Sequence, residues 1–188
     1  MTENSRLYTK ALMGFDAVAA QAAPGDWDRP APCAGWTARH VIGHVLAIQH
    51  GMVRAIAGEP RTMNPMESPE QWAGDDPYAA WATQRDAMLA AAADDATLER
   101  VVETFRGPRK VDDSIGWNVN DTTIHTWDLA RALGVDDTLD PELVEAVLRM
   151  VEPVADTMRQ PMMFGPAVDV APDADAQTRM LALTGRCR

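Results

Sequence analysis

Cysteine is scarce in this chain of 188 residues, and the two that occur, Cys33 and Cys187, lie far apart. They form no Cys-x-x-Cys pair, so neither a disulfide framework nor a thiolate zinc knuckle is indicated. The Gly-x-Gly-x-x-Gly, Walker-type and Gly-x-Ser-x-Gly motifs are also absent. Their absence removes the common nucleotide-binding and serine-hydrolase interpretations.

Basic residues and long apolar runs are scarce as well. The 17 Lys and Arg residues against 28 Asp and Glu give a formal net charge of −11, which disfavours a nucleic acid or an anionic membrane as the main partner. The N-terminus lacks a basic segment followed by an apolar core, and no stretch approaches the roughly 20 apolar residues that span a bilayer. We therefore expect a cytoplasmic protein with a single domain over residues 1–188.

Apolar residues repeat at helical spacing along most of the chain. The pattern and the Pro, Gly and Asn/Asp punctuation predict helices over residues 7–22, 37–57, 78–93, 118 or 120 to 133, 141–160 with a break at Pro153, and 174–183. Residues 99–105 and 110–115 could be extended and form at most a small hairpin. The Pro-rich stretch from Pro60 to Pro77 is predicted to be a long loop, a common kind of binding element that could roof a site.

The four histidines provide the clearest chemical signal. On a helix, where each residue advances about 100°, His44 lies about 60° from Val41 and about 40° from Ile48, at the margin of a buried stripe. His50 lies about 120° from His44 and points away from it. We therefore expect His44 to face the core or a cleft in it, and we set His50 aside.

Asp121 and His125 are one helical turn apart and share a face with Leu129, so an acid and an imidazole interrupt an apolar stripe. Buried polar groups need partners, and a metal ion can supply one. His44, Asp121 and His125 would together offer three ligands and leave a fourth position for water or substrate. That arrangement is typical of catalytic rather than structural zinc.

Asp121 and His40 each have an alternative interpretation. If Asn118 is a helix N-cap, Asp121 falls at the third helical position, where an acid favours the helix dipole and can bond back to the cap. His40 occupies the third position after a Thr37 cap, and it could be a supporting residue or an alternative fourth ligand. Spacing alone leaves both assignments open.

Other polar residues near these segments have simpler interpretations. Asp128 and Arg131 are three residues apart, which favours an ion pair or an inter-helix hydrogen bond. Trp127 is expected to pack in the core. Cys33 has no nearby base in sequence, so we expect an inert thiol.

The motifs at residues 32–39, at His44 and at residues 125–132 resemble the DinB/YfiT-like superfamily. Within it they resemble the branch typified by the N-terminal domain of mycothiol-dependent maleylpyruvate isomerases. The segments 164–168 and 180–186 also resemble the end of an actinobacterial subgroup of this branch. The resemblance covers nearly the whole chain and implies an all-α, four-helix bundle with long crossover loops. The small hairpin and a C-terminal tail that wraps back over the bundle complete the expected fold.

The resemblance also implies a divalent metal, usually zinc or nickel, at the positions of His44, Asp121 and His125. The sequence departs from the family pattern where Asp121 replaces Glu and where His40 replaces an acid. A further difference is that this sequence lacks the C-terminal domain that contributes to the active site of the isomerases. We therefore do not expect isomerase activity on maleylpyruvate to carry over.

The sequence thus leads to a hypothesis of a metal-dependent transferase or isomerase that uses mycothiol or a related small thiol. In such an enzyme the metal lowers the pKa of the thiol and presents a thiolate to a small electrophile. The expected partners are the thiol and the electrophile, with no nucleic acid and no membrane; a homodimer is left open. The alternative is a non-catalytic DinB-like ligand-binding or stress-response protein with an empty or vestigial metal site.

Overall fold

A computed structural model describes residues 1–59, 67–104, 107–159 and 164–188. These residues form two compact units, Met1–Asp137 and Thr138–Arg188. The single domain over residues 1–188 stays a prediction. No helix in the described part of the chain combines the length and apolarity needed to traverse a bilayer.

The first unit is mainly helical and carries one small hairpin. Its elements in chain order are α1 (Glu3–Ala19), a 3₁₀ segment (Pro24–Asp28), α2 (Ala38–Ile56), a second 3₁₀ segment (Pro69–Ala73), α3 (Pro77–Ala93), α4 (Asp95–Leu98), β1 (Val101–Thr104), β2 (Gly107–Lys110) and α5 (Val111–Leu133). Residues 60–66 of the predicted Pro-rich loop lie outside the described residues.

Helices α1, α2, α3 and α5 form a four-helix bundle. Both α1 and α2 pack against α3 and against α5. Each helix contributes fully buried apolar side chains to the core, among them Phe15, Ile42, Trp81 and Leu129. The rings of Phe15 and Trp81 lie 4.6 Å apart and join α1 to α3. The expected all-α, DinB-like bundle with a small hairpin is therefore confirmed.

The ends of the bundle helices follow local sequence signals. α2 begins directly after Thr37, as predicted, and ends just before Gly58, whose φ of +76° suits glycine. α3 begins at Pro77, where the missing N–H costs nothing, and the Asp76 carboxylate accepts from the Ala79 N–H at 3.0 Å. The predicted helices over these two segments are confirmed.

The start of α5 differs from the prediction. The helix begins at Val111 rather than at Asn118 or Asn120, because the antiparallel hairpin already closes between Val101 and Lys110. Residues 111–115 are therefore helical and not extended. Asp121 lies in the third turn of α5, so its interpretation as a residue of the first turn, capped by Asn118, is wrong.

The second unit contains α6 (Pro141–Val151), a 3₁₀ segment (Glu152–Met158) and α7 (Ala176–Leu183), with α6 packed against α7. The helix predicted over 141–160 changes to 3₁₀ geometry around Pro153, which has no N–H for an α-helical bond. Its predicted last residue, Gln160, lies outside the described residues. The short helix expected within 174–183 is confirmed by α7.

Candidate metal centre

The side chains of His44, Asp121 and His125 come together between two adjacent helices of the bundle. His44 is supplied by α2, and Asp121 and His125 by α5. Nε2 of His44 lies 3.1 Å from Oδ1 of Asp121, and Nε2 of His125 lies 3.7 Å from the same oxygen. All three residues offer ligand atoms within 4.8 Å of one another. The structure thus assembles the three residues that the sequence analysis selected.

The spacing of these atoms fits a small divalent ion. For ligand bonds of about 2.0–2.2 Å, neighbouring atoms of a tetrahedral shell are separated by about 3.4 Å. The two N–O distances lie on either side of that value. Two imidazoles and one carboxylate also form a ligand set that zinc accepts at catalytic centres. The residues present therefore fit the metal that the family resemblance implies.

Burial gives the three residues a closed side and an open side. The two histidines are almost buried, with 5% of His44 and 9% of His125 exposed. The Asp121 side chain is 26% exposed. Solvent or a ligand can therefore reach the group from the side of the carboxylate.

A fully buried carboxylate, Asp128, orients His125. Its Oδ2 lies 2.8 Å from Nδ1 of His125. An ionised carboxylate can only accept, so this bond places the imidazole proton on Nδ1 and leaves the Nε2 lone pair on the side of Asp121. Metal-binding histidines usually have this kind of partner, which fixes the ring and the tautomer.

Arg131 does not have the role suggested by its spacing from Asp128. Its guanidinium bonds Asp137 at 3.2 Å and lies over the ring of Trp127. Trp127 is buried, in agreement with its expected packing role. The predicted pairing of Asp128 with Arg131 is therefore wrong, although the position of Asp128 three residues after His125 is a spacing that allows the observed bond.

The indole of Trp36 covers the two histidines. It stacks on His125 with ring centroids 5.9 Å apart and an interplanar angle of 19°, and it lies 5.3 Å from the His44 ring. Trp36 is half-buried at the end of the loop before α2. No local sequence pattern predicts this contact, because the loop is brought over α5 only by the tertiary fold.

Cys33 lies in the same loop. Its Sγ is 3.3 Å from Oδ2 of Asp128, and the thiol is half-exposed. Cys33, His125 and Asp128 form a second cluster with ligand atoms within 4.8 Å of one another. The contact of Cys33 with α5 was not predicted from the sequence, which indicated only an inert thiol.

His40 supports the start of α2 and is not part of either ligand cluster among the described residues. Its Nδ1 accepts from the Thr37 N–H at 3.2 Å, and its Nε2 lies 3.5 Å from a Glu70 carboxylate oxygen. The imidazole thus takes the place of the acid that usually completes a capping box. The interpretation as a fourth ligand gains no support from these contacts.

His50 is separate from the three-residue group, as the angular argument predicted. Its ring lies 5.1 Å from the ring of Trp72, next to the second 3₁₀ segment. It borders a small cavity with side chains of α2 and α3. The residue therefore serves as a natural control for experiments on the other histidines.

A buried polar network lies beside the group. The Tyr8 hydroxyl of α1 donates to Oε1 of Gln49 on α2, and Nε2 of Gln49 donates to the Thr122 hydroxyl on α5 at 3.4 Å. Burial raises the pKa of Tyr8 far above its ordinary value, and the negative charge of Asp121 raises it further. The network was not found from sequence, since its members are spread over three helices.

The family described as mycothiol maleylpyruvate isomerase N-terminal domain matches residues 9–130 of the chain. A crystal structure of the mycothiol-dependent maleylpyruvate isomerase aligns at 18% identity and a TM-score of 0.57, covering 84% of this chain and 69% of that one. A histidine-to-alanine mutant of that isomerase aligns at 20% identity and a TM-score of 0.58, with the same coverage. No curated protein matches significantly.

At these identities the two crystal structures establish a shared fold alone. The family match runs from the second turn of α1 to the last turn of α5, covers α2 and α3 completely, and includes His44, Asp121 and His125. It confirms the family resemblance read from the sequence. The chain therefore belongs to the mycothiol maleylpyruvate isomerase N-terminal domain family.

Proposed function

We propose that this protein binds one divalent metal ion through His44, Asp121 and His125. We further propose that it acts as a thiol-dependent transferase or isomerase on small electrophiles, with mycothiol or a related thiol as co-substrate. The observation that carries the proposal is the approach of two imidazole Nε2 atoms to one carboxylate oxygen, at 3.1 and 3.7 Å. Zinc is the metal that this ligand set suits best, and nickel is the second candidate.

The chemistry supplied by a bound divalent ion is that of a Lewis acid, which lowers the pKa of a coordinated thiol and so makes a thiolate available near neutral pH. The residues of the chain prepare the site for it. Asp128 holds the proton of His125 on Nδ1, so Nε2 is free to bind. Trp36 shields one side of both histidine rings from water. The exposed part of Asp121 leaves the approach for the thiol and its electrophile.

Family membership supports the thiol part of the proposal. The family is named after mycothiol maleylpyruvate isomerase, and both aligned crystal structures are of the mycothiol-dependent maleylpyruvate isomerase. The ligand geometry supports the metal part of the proposal independently of family membership. The identity of the electrophile stays open, and maleylpyruvate is one of the compounds to be tested.

The metal part is tested on protein purified without chelators. We expect about one equivalent of zinc or nickel per chain, measured by elemental analysis after reconstitution and gel filtration. His44→Ala and His125→Ala should lose it, whereas His50→Ala should keep it, because His50 lies beside Trp72 and away from the group. A wild-type protein without stoichiometric metal, or equal binding by all three variants, would overturn the proposal.

The thiol part is tested with the reconstituted protein. Mycothiol and a panel of small electrophiles, such as activated alkenes and aryl halides, are incubated with it, and loss of thiol and formation of the adduct or isomer are followed by chromatography. We expect turnover that needs both the metal and the thiol and is lost in His44→Ala. Stoichiometric metal without any thiol-dependent turnover would instead favour the non-catalytic binding role.

A further inference from the structure

Cys33 and His125 bond the same oxygen of Asp128. The Cys33 thiol lies 3.3 Å from Oδ2 of Asp128, and Nδ1 of His125 lies 2.8 Å from that atom. Asp128 has no exposed surface. A buried carboxylate depends on hydrogen-bond donors for its stability and its orientation, since water cannot replace them. The thiol is therefore a candidate for holding the group that orients a metal ligand.

The loop that carries Cys33 is held firmly enough for this role. Its two ends pair through a bridge between Pro30 and Thr37, and within it the Trp36 N–H donates to the Cys33 carbonyl at 2.9 Å. Arg29, just before the bridge, donates to the Leu133 carbonyl at the end of α5 at 2.6 Å. The loop is thus attached to α5 both at its base and at the thiol.

The same contacts argue against a second metal ion in the cluster of Cys33, His125 and Asp128. Nδ1 of His125 and Oδ2 of Asp128 are 2.8 Å apart, the length of a charge-assisted hydrogen bond. Ligands of a tetrahedral zinc ion would stand about 3.4 Å apart. A proton, not a metal ion, therefore joins these two atoms, and the thiol acts on the carboxylate as a donor.

We propose that Cys33 is a positioning residue of the metal centre. Its thiol holds the carboxylate of Asp128, which in turn fixes the ring and the tautomer of His125. Cys33 is not a ligand and not a nucleophile in this role. The inference rests on the proposed metal site and names a residue that controls how well that site binds.

The test compares metal affinities of the full chain with Cys33→Ala, Cys33→Ser and Cys187→Ala. Cys187 is an exposed thiol outside the first unit and serves as the matched control. Changes to the surroundings of metal-bound histidines cost about 10- to 100-fold in affinity, and Cys33 lies one bond further out, so we expect about 3- to 10-fold weaker binding of Zn²⁺ by Cys33→Ala. Cys33→Ser keeps a donor and should bind within about 2-fold of wild type, as should Cys187→Ala.

A double-mutant cycle separates positioning from a general structural effect. If Cys33 acts through Asp128, Cys33→Ala should weaken zinc binding in the wild-type background and have no further effect in an Asp128→Ala background, which lacks the acceptor oxygen. The visible spectrum of the Co²⁺-loaded protein gives a second measure: its bands should shift in Cys33→Ala and return in Cys33→Ser. Unchanged affinity and spectrum in Cys33→Ala would overturn the inference.

If Cys33→Ala does not fold, the donor can be blocked in the folded protein. Methylthiolation of Cys33 in a Cys187→Ala background should weaken zinc binding, and a reductant should restore it; unchanged affinity contradicts the inference. A thiolate-to-cadmium absorption band in wild type that disappears in Cys33→Ser would make Cys33 a ligand and also overturn it. Failure of wild type to bind metal defeats the proposed function as well, whereas normal binding with an unaffected Cys33→Ala defeats only this inference.

Discussion

Gln49 and Thr122 join the two helices that supply the proposed metal ligands. The amide of Gln49 donates to the Thr122 hydroxyl at 3.4 Å, and both side chains are completely buried. Gln49 lies on α2 after His44, and Thr122 directly follows Asp121 on α5. The contact therefore helps to set the separation of His44 from the ligands on α5.

Replacing Gln49 tests this role. Gln49→Leu should lower the free energy of unfolding by about 1–3 kcal/mol, because it leaves the hydroxyls of Tyr8 and Thr122 without this buried partner. It should also weaken zinc binding. Urea denaturation and metal titration measure the two effects. Gln21→Leu, at an exposed position of the same residue type, is the control, and an equal response of the two variants would contradict the interpretation.

Tyr8 should make the protein less stable at alkaline pH. Burial raises the pKa of its hydroxyl above the ordinary value of 10.0. The folded state then holds the proton more tightly than the unfolded state, so the stabilisation is complete below pH 10 and declines as the pH rises above it. Urea unfolding of wild type and Tyr8→Phe between pH 8 and about 11 should show a shallower decline in the variant. If the unfolding free energies of the two proteins declined in parallel with pH, Tyr8 would not be the cause of the alkaline destabilisation.

Gly43 is required by the close approach of a carbonyl. A Cβ at this position would lie 1.9 Å from the Pro69 oxygen, so Gly43→Ala must push the second 3₁₀ segment away from α2 next to His44. We expect a loss of about 1–3 kcal/mol in unfolding free energy. Gly14→Ala on α1 meets no atom within 4 Å and should instead gain about 0.5–1 kcal/mol. Thermal unfolding measures both variants: the melting temperature should fall in Gly43→Ala and rise in Gly14→Ala.

Trp36 should report metal binding through its fluorescence. Its indole covers both His44 and His125, so a paramagnetic ion such as Ni²⁺ bound by them should quench it. Titration of wild type should show partial quenching that is largely lost in Trp36→Phe, although that variant still binds the ion. Trp72→Phe is the matched control, since Trp72 contacts His50 instead. If Ni²⁺ quenched Trp36→Phe as strongly as it quenches wild type, the ion would lie elsewhere.

A bound ion should also stabilise the folded chain. Free zinc at about 100 times its dissociation constant should raise the free energy of unfolding by about 2.7 kcal/mol, because the unfolded chain lacks the assembled site. A chelator should reverse the gain. His125→Ala should show no such gain, and His50→Ala should show all of it. A zinc-dependent gain that survives in His125→Ala would contradict the assigned ligands.

Sequence periodicity predicted most of the bundle because the helices begin and end at strong local signals. Pro77 and Gly58 are examples, since each acts on the backbone within one turn. The start of α5 was misjudged by about two turns, because residues 111–115 include the β-branched Val111 and Ile115, which suit a strand as well as a helix. Their tertiary packing, with both side chains fully buried, decides in favour of the helix.

The site shows the same division between local and tertiary information. Asp121 and His125 share a helical face, so their proximity could be read from spacing alone. Asp128 lies three residues after His125, a spacing that allows their bond, but the same spacing to Arg131 led to the wrong predicted partner. The contacts of Trp36 and Cys33 could not be read from spacing, since they depend on how a loop crosses another helix.

The bridge between Pro30 and Thr37 closes the loop at its base, directly before α2 begins. Residues 31–36 therefore form an exchangeable segment, provided that Cys33 and Trp36 are kept: its other residues can change while the helices that carry the proposed ligands keep their places. Grafting loops from other family members between Pro30 and Thr37, with Cys33 and Trp36 kept, would vary the wall beside the histidines on an unchanged scaffold. For the proposed enzyme, changes in substrate preference should then arise first in that short segment.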